Sequence, residues 1–178
     1  MAKIIITLIL IFLISCGEKE SNTDINIRTF YREKISLNFR LDDGIEFSFP
    51  ENTIKNKSIS NEIDTILLTK NEQEQIIGLY YNSVANNTYG EKAISGNYIT
   101  MPRLIDQLHV IKKGKETAIF FIVLCNKKYY GTNKNDLGLF KLRDFIYQTL
   151  ERKKAYLKWL NITKIEREKI PEKYRIIE

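Results

Sequence analysis

Histidine, cysteine and proline are scarce in this chain of 178 residues. It contains one histidine, two cysteines, three prolines and eight glycines. A zinc site of the Cys/His type takes several such ligands from one chain, so zinc fingers and related centres are excluded. Collagen-like and proline-rich classes are excluded by the low glycine and proline content. The remaining composition, 43% hydrophobic and 28% charged, is typical of one folded domain.

The first fifteen residues have the layout of a secretory signal peptide. Lys3 is followed by residues 4–14, which are apolar except for Thr7, and then by the small residue Ser15. A run of this length falls short of the roughly 20 apolar residues that span a bilayer. We therefore predict a signal peptide over residues 1–15, which is removed from the mature protein.

The end of this segment resembles the lipobox of bacterial lipoproteins, in the residues Leu13, Ile14, Ser15 and Cys16. The resemblance implies cleavage before Cys16, a diacylglycerol group on its sulfur and acylation, as with palmitate, of the new N-terminus. Several chains are needed because a single acyl chain gives only reversible membrane binding. Gly17 then favours the outer membrane of a Gram-negative envelope, facing the periplasm or the surface. The alternatives are an ordinary signal peptide with an incidental cysteine and an uncleaved anchor.

The rest of the chain is divided by composition and charge. We predict a lipid anchor and polar tether over 16–28, a single α+β domain over 29–161 and a charged C-terminal extension over 162–178. Residues 111–178 carry 17 basic and 8 acidic side chains. This basic half is suited to anionic headgroups or an acidic partner, with a solvated helix face as the alternative. Export argues against nucleic acid as a partner.

A β-hairpin is the clearest local prediction. Apolar residues alternate with polar ones over 35–41 and again over 45–49, on either side of Asp42, Asp43 and Gly44. A three-residue loop sets Leu41 opposite Ile45 and so gives one apolar face, whereas a two-residue loop mixes polar and apolar side chains. Gly44 then takes the left-handed position. Turn chemistry accounts for the two adjacent carboxylates.

The following segments are predicted from periodicity. Residues 63–69 and 75–82 form a second hairpin, and residues 86–97 form an irregular loop. Residues 100–114 have the start and stop signals of a helix, with a strand as the competing interpretation. Residues 117–125 are a strand covered on both faces. From about residue 135, apolar side chains at helical spacing predict one amphipathic helix of some 25 residues, packed on the sheet through Leu139, Leu142, Ile146, Leu150, Leu157 and Leu160.

Together these elements predict an α+β fold: a mainly antiparallel sheet packed by helices, with a long C-terminal helix. The order resembles the PsbP-like family. The resemblance lies in residues 44–51, which read Gly-Ile-Glu-Phe-Ser-Phe-Pro-Glu, and in the strand and helix over 120–130 and 140–150. It implies an α/β/α sandwich and a non-catalytic binding or assembly role. The aromatic residue that usually follows the proline in that family is absent here.

No catalytic residue, metal site or cofactor is predicted. His109 is the only imidazole, and Cys125 ends an apolar run in which burial raises a thiol pKa, so they are a poor nucleophile and base. Two tyrosine pairs, Tyr80 with Tyr81 and Tyr129 with Tyr130, each turn one ring outward if their segments are strands. They form the candidate binding patch for a protein or a glycan.

The sequence therefore favours a lipid-anchored, non-catalytic binding or assembly module of the bacterial envelope. Two alternatives remain open: an immunity or inhibitor lipoprotein that neutralises a toxin or enzyme, and an envelope hydrolase that uses paired carboxylates.

Overall fold

The computed structural model describes residues 21–41, 44–95, 104–124 and 134–169. The helices within them are α1 (Asn22–Arg32), α2 (Lys70–Tyr81), α3 (Lys134–Leu150) and α4 (Lys154–Glu168). The strands are β1 (Ile35–Arg40), β2 (Glu46–Phe49), β3 (Thr53–Lys55), β4 (Asp64–Thr65), β5 (Gly90–Ser95), β6 (Leu104–Lys112) and β7 (Lys115–Leu124). A 3₁₀ turn spans Val84–Asn86.

The strands form one seven-stranded sheet in the order β4-β3-β2-β1-β6-β7-β5. Neighbouring strands are antiparallel except for β5 and β7, which are parallel. The predicted α+β class with a mainly antiparallel sheet is confirmed, and the sheet is mixed only through β5. This strand lies where an irregular loop was predicted over 86–97, so that prediction is wrong. Glu91 and Lys92 interrupt the apolar pattern by which a strand is recognised in a sequence. They are compatible with β5 because an edge strand tolerates charged residues.

The β1–β2 hairpin has the predicted register. Leu37 lies opposite Phe49 and Phe39 lies opposite Phe47. Gly44 has a φ of +80°, the left-handed conformation that the three-residue loop requires. Every apolar side chain of the hairpin therefore faces the same side of the sheet.

The helices cover one face of the sheet in the described residues. Leu37 and Phe39 of β1 are buried, whereas Ser36 and Asn38 between them are partly exposed. Phe30 of α1 packs on the covered face, with its ring centroid 5.5 Å from that of Phe49. The uncovered side, made by the alternate residues, is called the open face below. A second helix layer, as in an α/β/α sandwich, is not found in the parts of the chain just given.

Strand β7 was predicted to be covered on both faces. Phe120 and Ile122 are buried, but Ile119, Phe121 and Val123 lie on the open face and are partly exposed. The continuous apolar run therefore predicted the strand correctly and its two-sided burial incorrectly. Cys125 follows β7 and lies outside the described residues.

Two predictions chose the wrong secondary structure. Residues 104–112 form strand β6, paired with β1 and β7, so the helix predicted over 100–114 is wrong and the competing strand is confirmed. The second hairpin is also wrong: of residues 75–82, predicted as its second strand, 75–81 belong to helix α2 and Asn82 is the C-cap of that helix. Thr69 caps this helix through a capping box, accepting from the Glu72 backbone N while the Glu72 carboxylate accepts from the Thr69 N.

Both ends of the folded domain differ from the predicted boundaries. Helix α1 begins at Asn22, capped by Ser21, so the second half of the predicted 16–28 tether is folded. The long C-terminal helix is interrupted between Leu150 and Lys154, giving α3 and α4. Helix α4 continues to Glu168, into the predicted 162–178 extension.

Candidate functional site

Helix α4 leaves several aliphatic side chains exposed to solvent. Leu157 is 49% exposed and Ile165 is 46% exposed, whereas Trp159 of the same helix is 1% exposed. The predicted packing of Leu157 and Leu160 on the sheet is therefore wrong. The break after Leu150 resets the helical phase, so Tyr156, Trp159 and Thr163 point inward in their place.

The break itself is held by a charged contact. Lys153 has an extended backbone, with φ −102° and ψ 127°, and precedes α4 as its cap residue. Its Nζ lies 2.8 Å from Glu72 Oε2 and 2.9 Å from the Leu67 carbonyl oxygen. Burial alone raises the pKa of Glu72, but hydrogen bonds from Lys153 and Thr69 outweigh it, and the pKa is lowered overall. The start of α4 is thereby tied to the start of α2.

A second contact ties α4 to the β4 segment. Lys158 Nζ lies 2.9 Å from Asp64 Oδ2 and 3.6 Å from Glu62 Oε2. The hydrogen bond to Asp64 raises the pKa of Lys158. Further along the helix, Asn56 Nδ2 donates to Thr163 Oγ1 at 3.1 Å in a buried position. Three contacts along its length therefore fix which side of α4 faces outward.

The β4 segment adds to this aliphatic surface. Ile63 is 60% exposed and Leu67 is 84% exposed, and they flank Asp64, which binds Lys158. We call the five aliphatic residues together the α4 surface: Ile63, Leu67, Leu157, Leu160 and Ile165. Exposed apolar side chains are common one at a time, but a concentration of them marks interaction sites.

Basic side chains lie among the residues of the α4 surface. Lys154 and Lys164 are exposed on α4, and within the described ranges neither forms an ion pair. An amphipathic helix face of this composition fits an apolar groove with an acidic rim. Sequence reasoning missed the surface because it continued one apolar stripe through the break at 151–153.

The open face of the sheet carries the only histidine. His109 lies on β6, with its Nδ1 2.6 Å from Glu116 Oε2 and its Nε2 3.4 Å from Gln107 Oε1. Asn38 of β1 lies directly opposite His109. The imidazole is thus held by polar neighbours on a partly exposed sheet surface, as expected for a satisfied histidine.

A charged cluster is buried between the sheet and α3. Asp106 on β6 is fully buried, with Arg143 Nε 2.7 Å from its Oδ2 and the Tyr147 hydroxyl donating to its Oδ1 at 2.8 Å. Arg143 Nη1 lies 3.1 Å from Asp144 Oδ1. Burial, and then the charge of Asp106, raise the pKa of Asp144. All of these contacts cross from strand to helix or stay within α3, so the cluster fastens α3 to the sheet.

The predicted tyrosine patch is only partly described. Tyr80 and Tyr81 lie on α2 rather than on a strand; Tyr80 is fully buried, and the Tyr81 hydroxyl is buried. Tyr80 therefore offers no surface ring, because its helical position turns it toward Phe30, 5.8 Å away between centroids. Tyr129, Tyr130 and the lipidation residue Cys16 lie outside the described residues, as do Asp42 and Asp43.

Two further observations concern metals and membranes. Within the described residues, no group of three or more His, Cys, Asp or Glu side chains is arranged to hold a metal ion. Among the same residues, no helix has both the length and the apolar content that crossing a bilayer requires.

Comparison of the chain with protein-family models, with curated proteins and with solved structures gives no match. The resemblances to the bacterial lipoprotein signal and to the PsbP-like family stay predictions.

Proposed function

We propose that this chain is a lipid-anchored protein of the bacterial envelope that binds a partner protein through the α4 surface, without catalysing a reaction. The observation that carries the proposal is Cys16 at the end of Leu13, Ile14 and Ser15, directly after an apolar run. The first described residue, Ser21, already caps helix α1. The folded domain would therefore begin only five residues beyond the lipid.

The partner-binding step is supported by the exposed side of α4. Leu157 and Leu160 leave apolar area in water, which costs free energy that an apolar partner surface recovers. Lys153 and Lys158 hold the helix in place, so little ordering is needed on binding. Aliphatic side chains favour a protein partner over a glycan, which is bound mainly by aromatic and polar groups.

A second candidate is the immunity or inhibitor lipoprotein, whose partner is a toxin or an enzyme. Lys154 and Lys164, which form no ion pair within the described part of the chain, favour it, because acidic rims on a partner would give fast, salt-dependent association. The two candidates share the same surface and differ in the identity of what it binds.

The experiment is site-specific photo-crosslinking in cells of the source organism. A photoreactive amino acid replaces Leu157, Leu160 or Ile165 in turn, and Lys141, exposed on α3, is the matched control position. We expect a discrete cross-linked protein from the three α4 positions and none from Lys141. Mass spectrometry of that species separates a structural partner from an enzyme or toxin.

The binding proposal is contradicted if the α4 positions give no product, or give the same products as Lys141. The Leu157→Glu variant is expected to abolish cross-linking from Ile165 while the protein remains folded. Trp159, the only tryptophan in the chain, reports folding through its fluorescence. Anchoring is tested separately, since Cys16→Ala is expected to release the protein from the membrane fraction.

A further inference from the structure

Helix α1 turns a stripe of apolar and basic side chains away from the core. Ile25, Arg28 and Arg32 follow one another at spacings of three and four residues, which places them on one side of a helix. Ile25 is 47% exposed and the Arg32 side chain is 75% exposed. Phe30, fully buried, marks the opposite side.

The turn between β6 and β7 brings more positive charge to the end of α1. The Lys113 backbone N donates to the Glu33 carbonyl oxygen at 3.1 Å, and Lys113 Nζ lies 2.9 Å from Glu33 Oε2. Lys34 follows Glu33 and is exposed, and Lys115 completes the turn. We call the five basic residues together the basic end: Arg28, Arg32, Lys34, Lys113 and Lys115.

The acidic side chain of Glu33 lies within the basic end. Glu33 lies 2.9 Å from Lys113 Nζ and 3.8 Å from Arg32 Nε, and the hydrogen bond from Lys113 lowers the pKa of Glu33. Glu116 lies 2.6 Å from His109, and Glu51 accepts from Ser36 on the open face. The side chains of Arg32, Lys34, Lys113 and Lys115 outnumber the Glu33 carboxylate that lies among them, so the basic end keeps a positive excess.

Exposed aromatic rings lie beside this charge. Tyr31 of α1 is 48% exposed, and Tyr89 is 74% exposed with Lys112 Nζ 5.8 Å from its ring centroid. Lys112 itself donates to the Asn86 carbonyl oxygen at 2.8 Å, so it is not counted in the basic end. Tyrosine side chains are favoured at membrane interfaces, where the ring contacts lipid and the hydroxyl contacts water.

Chain length limits how far this surface can lie from the lipid. The five residues from Cys16 to Ser21 span at most about 18 Å when fully extended. Helix α1, with 11 residues, is about 16 Å long. If Cys16 is lipidated, the basic end is confined close to the bilayer, and it reaches the headgroups when α1 lies along the surface.

We propose that the basic end docks on the anionic phospholipid headgroups of the bilayer that holds the anchor, with α1 lying parallel to the membrane. The proposal rests on the lipid anchor of the proposed function. Each well-placed basic side chain favours such binding by a factor of about five. Because the α4 surface shares no residue with the basic end, docking leaves it free for a partner.

The test is lysine footprinting of the full lipidated protein in vesicles. Acetylation rates at Lys34, Lys113 and Lys115 are measured by mass spectrometry in phosphatidylglycerol-containing vesicles and in phosphatidylcholine vesicles. Lys154 and Lys164 on α4 are internal controls. We expect the three reporter lysines to be modified at least about fivefold more slowly on the anionic vesicles, and the controls to be unchanged. High salt is expected to remove the protection, because exposed charges are screened within about 3 Å at 1 M.

A charge-reversal pair checks that the docking surface is specific. The Arg28→Glu, Arg32→Glu double variant is expected to abolish protection at Lys113, whereas the control pair Lys154→Glu, Lys164→Glu retains it. The proposal is overturned if the reporters are equally reactive on both vesicles, if Lys154 is protected as well, or if the α1 variant keeps its protection. The mass of the lipid on Cys16, measured in the same samples, shows independently whether the anchor is present.

Discussion

Replacing Asp106 by asparagine is expected to be among the most destabilising single substitutions in the chain. The carboxylate is fully buried on β6, between the apolar residues of the covered face and helix α3. Asparagine keeps the size of the side chain but removes its negative charge. Arg143, whose side chain is 15% exposed, then loses the stronger of its two acidic partners.

The magnitude follows from the geometry of the pair. Removing one partner of a buried ion pair typically costs about 3–5 kcal/mol, because the other charge stays buried without compensation. Asp144 remains 3.1 Å from Arg143 Nη1 and offsets part of the loss. We therefore expect Asp106→Asn to lower the free energy of unfolding by about 3 kcal/mol, at the low end of that range.

The assay is equilibrium urea unfolding of the purified protein, followed by the fluorescence of Trp159. Trp159 is the only tryptophan and is 1% exposed, so its emission changes when the core opens. With a urea slope of about 1–3 kcal/mol per molar, the midpoint is expected to fall by about 1–3 M.

A double-mutant cycle separates the pair from its surroundings. Asp106→Leu with Arg143→Met replaces both charges by apolar groups, and it is expected to destabilise by less than the sum of the two single changes. The reasoning is refuted if Asp106→Asn changes the free energy of unfolding by less than about 0.5 kcal/mol, the range of ordinary surface substitutions.

Three further predictions use matched pairs or pH. A Cβ added at Gly138 would lie 2.5 Å from the Asn82 carbonyl oxygen, whereas a Cβ added at Gly78 would have no neighbouring atom within 4 Å. Thermal unfolding is therefore expected to show that Gly138→Ala lowers the free energy of unfolding by about 1–3 kcal/mol. Gly78→Ala is expected to raise it by up to about 1 kcal/mol. The buried Tyr80 hydroxyl has no hydrogen-bond partner in the described structure, whereas that of Tyr147 donates to a carboxylate; Tyr80→Phe should raise the melting temperature and Tyr147→Phe should lower it, and a loss in both would be inconsistent with this difference. Glu72 has a lowered pKa in the folded protein, so its stabilising contribution is complete above its unfolded pKa of about 4.3 and is lost as pH falls through the folded value. Chemical unfolding across pH should therefore show the deficit of Glu72→Gln shrinking in acid, and a pH-independent deficit would contradict the ion pair.

Local turn chemistry made the β1–β2 hairpin predictable. Only one loop length aligns Phe39 with Phe47, and Gly44 supplies the conformation that this loop requires. Helix α2 was predicted wrongly as a strand, although the capping box of Thr69 and Glu72 is a local signal that outweighs the β-favouring residues after it.

Features set by tertiary contacts could not be predicted in the same way. The end of α3 at Leu150 has no glycine or proline, and the break depends on Lys153 reaching Glu72, which is 81 residues away in sequence. The outward direction of Leu157 follows from that break. Similarly, the partial exposure of Phe121 depends on which face of the sheet the helices cover. The anchoring residue Cys16 is predicted by its motif alone and stays a prediction.

Lipid attachment at Cys16 is tested most directly by mass spectrometry of the mature N-terminus. Trypsin cleavage after Lys19 releases residues 16–19 as a short peptide from protein extracted from membranes. The account predicts that this peptide begins at Cys16 and carries a diacylglycerol thioether and an amide-linked acyl chain. Cys125→Ala is expected to keep the modification, and Cys16→Ala to lose it together with membrane association. An unmodified N-terminus at another residue, or unchanged membrane association of Cys16→Ala, would contradict the account.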